Sequence, residues 1–220
     1  MLKVVVFDSG YGGEFFADQL QDEVPIIDII RVIDWRNADK ILISSKEARK
    51  TAINALRPYI GKVDLIIFAN YLLTANLKYF RRKFKDQKFI GLHIKTPDTF
   101  IKRDTLILTT RAFTKTRDYH DYLTRLKRRT KSLTLDTWPA KIDDGELTKA
   151  EIEDTLSLLL LGDDFNPQEI ILACSQFNDI KPELREYFGH NLKIYDSFKD
   201  TIRETCKALK IRGGVGKKAS

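Results

Sequence analysis

Short apolar runs recur along the chain. Each is followed by a turn and then by a stretch whose apolar positions fall three or four residues apart. Leu2–Phe7 is a continuous apolar run that stops at Asp8-Ser9-Gly10, which predicts a buried strand. Gly12-Gly13 opens a predicted helix carrying Phe15, Phe16 and Leu20, and Ile26–Ile33 is the second predicted strand. A helix capped by Ser44 or Ser45 runs towards Arg57 and stops before Pro58. Val63–Phe68 predicts a third strand, Leu72–Phe84 a helix, and Phe89–Leu92 a short fourth strand ahead of Thr96-Pro97.

The alternation then starts again. Strands are expected at Thr105–Thr109, Leu133–Asp136, Glu169–Ala173 and Leu192–Tyr195. Helices are expected at Thr114–Arg128, Thr148–Leu161, Lys181–Tyr187 and Thr201–Leu209, with Thr148 and Glu151 in capping-box spacing. Such alternation means an α/β fold with mainly parallel sheets. A faint repeat supports two similar halves: Asp64–Asn70 reads against Glu169–Ser175 at an offset of 105, and Val4–Asp8 against Leu106–Thr110 at 102. Corresponding strand ends would then face across a cleft, and ligands bind at the carboxyl ends of parallel strands.

Composition narrows the class. Of 220 residues, 43% are hydrophobic and 31% charged, enough for a real core. The apolar runs are too short to span a bilayer, and the N-terminal run meets Asp8 too early for a secretion signal, so a cytoplasmic protein is expected. Two cysteines and three scattered histidines suggest neither a disulfide framework nor a common zinc site. The net charge is +7, with basic clusters at Lys78–Lys88 and Arg125–Lys131. Without a nucleic-acid motif we read these as solvated helix ends, where the dipole favours cations.

Two places carry candidate chemistry. Asp8-Ser9-Gly10-Tyr11-Gly12-Gly13 follows a strand and precedes a helix, but is neither a dinucleotide fingerprint nor a P-loop. Its backbone N–H groups could receive an anion while Asp8 receives an ammonium group, which is the pattern of an amino acid. A plain strand-to-helix turn with Asp8 as its cap explains the same residues. Cys174, in Ala173-Cys174-Ser175-Gln176, sits at a strand end, where a thiol can serve as base or nucleophile or be an inert buried group. Cys206 lies on an apolar helical stripe with Ile202 and Leu209 and is read as structural.

These residues carry a resemblance. Asp8–Gly13 resembles the DSGxGG opening of the cofactor-independent glutamate racemases, of the aspartate/glutamate racemase superfamily. Phe68-Ala69-Asn70 falls where that family has Ala-Cys-Asn, and Thr109-Thr110 with Thr114 and Tyr119 resembles its AT…T…Y stretch. Asp143-x-Gly145 resembles its Glu-x-Gly, Ala173–Phe177 its Gly-Cys-Thr-His-Tyr, and Asp196-Ser197 its late Asp-Ser. The resemblance implies two pseudo-symmetric α/β domains, residues 1–92 with 191–211 and residues 93–190, with a ligand cleft between them, while the Gly- and Lys-rich composition of residues 212–220 predicts a disordered basic tail. It implies a small acidic amino acid or dicarboxylate as ligand, and no pyridoxal phosphate, metal or nucleotide. Cys174 and Asp8 would be catalytic. Ser9, Gly10, Asn70, Tyr71, Thr110, Thr114, Ser175 and Gln176 would bind substrate, with Asp143 orienting Gln176. A homodimer is left open, and the family's link to cell-wall D-glutamate supply carries over only with the chemistry.

The departures bear on activity. The family uses two cysteines on opposite faces of the α-carbon. Here the first position is Ala69, whose methyl group neither accepts nor donates a proton, and the family's His is Gln176. Ala38-Asp39-Lys40-Ile41 replaces an expected Pro-Tyr-Gly segment. Three readings stay open: a one-cysteine racemase in which Tyr71, Thr74 or Asp8 serves the empty face; a one-cysteine decarboxylase-type enzyme; and a non-catalytic relative that binds an acidic metabolite or a protein. An engineered Cys-to-Ala replacement is disfavoured, because it would not produce the changes at Tyr71 and Gln176.

Overall fold

The computed structural model describes residues 1–94, 104–126, 129–161 and 164–211, with only the backbone described at Leu42. The expected basic tail and the Thr96-Pro97 turn lie outside the described residues. The chain divides into two compact units, Met1–His93 with the segment that begins at Ser197, and Ile94–Asp196.

The first unit runs β1 (Leu2–Asp8), α1 (Tyr11–Glu23), β2 (Ile27–Ile33), a 3₁₀ turn at Trp35–Asn37, α2 (Ala38–Ile43), α3 (Ser45–Leu56), β3 (Leu65–Phe68), α4 (Tyr71–Thr74), α5 (Leu77–Lys83) and β4 (Phe89–Gly91). All strand pairs are parallel, in the order β2-β1-β3-β4, with Val4 opposite Ile29 on one side and Leu65 on the other. Val4–Phe7 is fully buried, which is why this central strand reads as an unbroken apolar run. Ser44 caps α3 by accepting from Glu47 N–H at 3.3 Å. The helix expected over 72–84 is two helices. Asn76 Nδ2 donates to the Leu72 carbonyl at 2.6 Å, and this competition with the backbone ends α4. Arg81, Arg82 and Lys83 sit in the last turn of α5, as expected of a basic helix C-terminus.

The second unit runs β5 (Thr105–Thr109), α6 (Arg111–Thr114), α7 (Arg117–Leu126), β6 (Thr130–Thr134), α8 (Trp138–Asp143), α9 (Lys149–Leu160), β7 (Glu169–Leu172), a 3₁₀ turn at Gln176–Asn178, α10 (Lys181–Phe188) and β8 (Lys193–Tyr195). Its sheet is also fully parallel, in the order β6-β5-β7-β8. Its core is built by Leu106, Leu108, Ile170 and Leu172 with Trp138, Leu156 and Phe177. The expected 114–128 helix is broken by Thr116, whose hydroxyl donates to the Phe113 carbonyl at 2.8 Å and accepts from Tyr119 N–H at 3.2 Å. The strand expected at 133–136 begins at Thr130. It is an edge strand, so its exposed face takes polar residues and the apolar signal covers only half of it.

The chain then returns to the first unit as α11 (Phe198–Ala208), which buries Phe198, Ile202 and Cys206. The Phe198 ring meets Phe16 at 5.1 Å between centroids. One expectation is corrected here. The last strand was given to the first domain, but β8 pairs with β7 and belongs to the second sheet. Among the described residues no helix is long and apolar enough to cross a membrane.

The two sheets share one strand order, so the repeat is real, but its register shifts. The Asp8 carbonyl accepts from Asp34 N–H on the β2 side, and the Thr109 carbonyl accepts from Leu135 N–H in the same place. On the other side the Phe7 carbonyl accepts from Ala69 N–H, and Leu108 from Ala173. Residues of a parallel strand bond alternately to left and right, so this phase equates Asp8 with Thr109 and Ala69 with Ala173. The sequence repeat had paired Ala69 with Cys174, one residue further into the turn.

Candidate functional site

In the first unit the candidate residues gather at the carboxyl ends of β1 and β3. Asp8 is fully buried, and its Oδ1 accepts from Ser9 N–H at 2.7 Å and from Asn70 Nδ2 at 3.1 Å. Asn70 also caps α4, its Oδ1 accepting from Leu73 N–H at 3.1 Å. One amide therefore orders a buried carboxylate and starts a helix. The turn permits this only because Gly13 has no side chain. A Cβ there would stand 2.3 Å from the Asp8 Cβ. Gly10, in extended conformation, is the N-cap of α1 and offers no side-chain cap.

Three groups were expected to compensate for Ala69. Asp8 is bonded as described. The Tyr71 hydroxyl lies 2.6 Å from Ser197 Oγ at the start of α11. Thr74 Oγ1 donates to the Asn70 carbonyl at 2.9 Å. Ala69 itself is fully buried.

In the second unit Cys174, Ser175 and Gln176 follow β7 and share one hydrogen-bonding centre. Cys174 Sγ donates to Gln176 Oε1 at 3.1 Å, and Ser175 Oγ donates to the same oxygen at 3.1 Å. Gln176 Nε2 donates to Asp143 Oδ2 at 3.4 Å, at the end of α8. The contact that the resemblance implied between these two residues therefore forms. Asp143 sets the amide orientation: a carboxylate meets the nitrogen, whereas the Cys174 thiol and the Ser175 hydroxyl can either donate or accept. Asn178 Nδ2 donates to the Ser175 carbonyl at 3.0 Å and pins the turn from below.

The remaining expected residues lie on the elements that follow β5, the strand next to β7. Thr110 is buried at the N-terminus of α6, and Thr114 Oγ1 donates to the Arg111 carbonyl at 2.9 Å. Tyr119 is buried and donates to Ser132. Burial pushes its phenol above the ordinary range, and the Ser132 contact pulls the other way. Gly91 was not foreseen: a Cβ there would stand 2.2 Å from Thr74 Oγ1. A glycine ending a three-residue strand gives no sequence signal of that contact.

No protein-family model matches the chain, and no curated protein sequence matches it. Solved structures do. Escherichia coli glutamate racemase, in complex with L-glutamate and the activator UDP-MurNAc-Ala, aligns with a TM-score of 0.82 at 19% identity, over 100% of this chain and 87% of that one. Campylobacter jejuni glutamate racemase aligns with a TM-score of 0.79 at 21% identity, over 100% and 90%. Picrophilus torridus aspartate racemase aligns with a TM-score of 0.62 at 15% identity, over 95% and 94%. Two α/β units, each with four parallel strands, thus give this chain the fold of the glutamate and aspartate racemases.

Proposed function

We propose that this protein is a cofactor-independent isomerase-type enzyme that works at the α-carbon of a small acidic amino acid with Cys174 as its single thiol base. The observation that carries the reading is the Cys174–Gln176–Asp143 arrangement at the end of β7. It orients a sulfur at a strand end, where α/β folds bind ligands. Cys174 first gives up to solvent the S–H proton that Gln176 Oε1 accepts in the resting state, and as thiolate it then takes the α-proton. The C–H bond breaks, an S–H bond forms, and the electron pair is delocalised into the substrate carboxylate. The reverse transfer restores the C–H bond. Ser9, Asn70 and Ser175 are assigned to the carboxylate and ammonium groups of the amino acid. Holding these groups is what makes so weak a carbon acid reactive.

The test is proton NMR of D- and L-glutamate and of D- and L-aspartate in deuterated water. Exchange of the α-proton of one enantiomer, abolished in Cys174→Ser, is the expected result. Exchange that persists in that variant, or no exchange with any of the four, overturns the reading. Inversion accompanying exchange would show a second acid–base group on the opposite face.

Ala69 favours a second reading, a binder of acidic metabolites without turnover, because its buried methyl can carry no proton. That reading predicts that one of the four amino acids raises Tm without any exchange.

A further inference from the structure

The edge of the first sheet holds a cavity of about 510 Å³, bounded by the end of β2, the 3₁₀ turn, α2 and one side of α3. That is within the range of small-molecule sites. Its charged lining is Arg36, Lys40 and Lys50 against Asp34 and Glu47. One wall is a built ladder. Asn37 Nδ2 donates to both oxygens of Asp34, at 2.9 and 3.0 Å, while its Oδ1 accepts from Lys40 Nζ at 2.7 Å. The ladder satisfies Asp34 and fixes the Lys40 ammonium in place. Among the described residues, the Arg36 and Lys50 side chains have no hydrogen-bond or ion-pair partner. Asn54 adds a neutral amide to the same wall.

We infer that this cavity is a second ligand site, for a small anion carrying at least two negative charges. Arg36 supplies a planar fork for a phosphate or carboxylate, and Lys50 supplies a point charge for the other group. Lys40 is already held where an anionic group can share it. Glu47 limits the site to ligands whose charge is concentrated at the Arg36 and Lys50 side. The cavity adjoins the Asp8 turn through Asp34, whose N–H donates to the Asp8 carbonyl, and through Ile33, but it shares no side chain with the Cys174 network, and its test reads anion binding rather than turnover.

Isothermal titration of the protein at low salt with pyrophosphate and with citrate tests it. Binding with millimolar or tighter Kd is expected for at least one probe, and the stronger of the two identifies the phosphate or the carboxylate class. The Arg36→Ala/Lys50→Ala variant should weaken that binding tenfold or more. A control, Lys83→Ala/Lys85→Ala, removes the same charge from a distant surface and should leave it within twofold. Unchanged Tm in both variants shows that the fold is intact. No binding of either probe, equal affinity in the Arg36/Lys50 variant, or an equal loss in the control overturns the site.

Discussion

Asn70 Nδ2 donates to Asp8 Oδ1 at 3.1 Å, joining the ends of two neighbouring strands across 62 positions of chain. The same side chain caps α4. Asn70→Ala therefore removes a helix cap and one donor to a buried carboxylate together. A loss of about 2–3 kcal/mol is expected in urea unfolding. Asn70→Asp keeps the cap but sets a second carboxylate beside Asp8. Its deficit should shrink as the pH falls and one of the two carboxyl groups takes a proton.

Two glycines should respond differently to alanine. At Gly13 the new Cβ would lie 2.3 Å from the Asp8 Cβ and 2.9 Å from Ile33 Cδ1, so the Asp8 turn has to move. The expected cost is about 3 kcal/mol, with loss of any amino-acid binding. At Gly61, φ is +76° and nothing lies within 4 Å, so only backbone strain opposes the change. About 1 kcal/mol is expected there, and equal losses at the two sites would contradict the packing described.

The two thiols should label differently with iodoacetamide when Gln176 is changed. Cys206 is buried, and burial together with the Glu23 carboxylate pushes its thiol above the ordinary value, so it should react slowly near pH 7. Gln176→Ala removes the acceptor of the Cys174 thiol. Cys174 should then label several-fold faster, with Cys206 unchanged as an internal reference in mass spectrometry.

Tyr119 sets an alkaline limit on the second unit. Its folded value lies above the ordinary 10.0, with burial the main cause and the Ser132 contact opposing it. A group raised on folding contributes stability that is complete below its unfolded value and lost as the pH rises through its folded value. Wild-type stability should therefore fall steeply above about pH 10. Tyr119→Phe should lose about 1 kcal/mol at pH 7, from the Ser132 contact, and show a flatter alkaline limb. Denaturant midpoints between pH 7 and 11 distinguish the two slopes.

Much of the architecture could be read from local pattern, because buried parallel strands and amphipathic helices leave strong periodic signals. The Leu2–Phe7 run, the cap at Ser44 and the Thr148–Glu151 pair all appear where their residues place them. The failures arise where a polar side chain turns back on the backbone. Asn76 and Thr116 each split a helix that hydrophobic spacing alone would continue. The ownership of β8 was equally hidden, since a three-residue strand carries no information about its partner. In the candidate site, Asp8 and Cys174 were identifiable as residue types near strand ends, and Asn70 and Gln176 through the family resemblance. Their mutual bonds were not, apart from the Gln176–Asp143 contact, because such bonds depend on rotamers that spacing does not fix.

The placement of α11 has a consequence for biogenesis. The strands and helices of the second unit are continuous in the chain, so during synthesis that unit can close as soon as β8 is made. The first unit cannot. Its Phe16 ring and the Gly91 carbonyl wait for Phe198 and Thr201, and the Tyr71 hydroxyl waits for Ser197. The Asp8 turn therefore rests on a half-built scaffold until a helix more than a hundred residues downstream arrives to lock it.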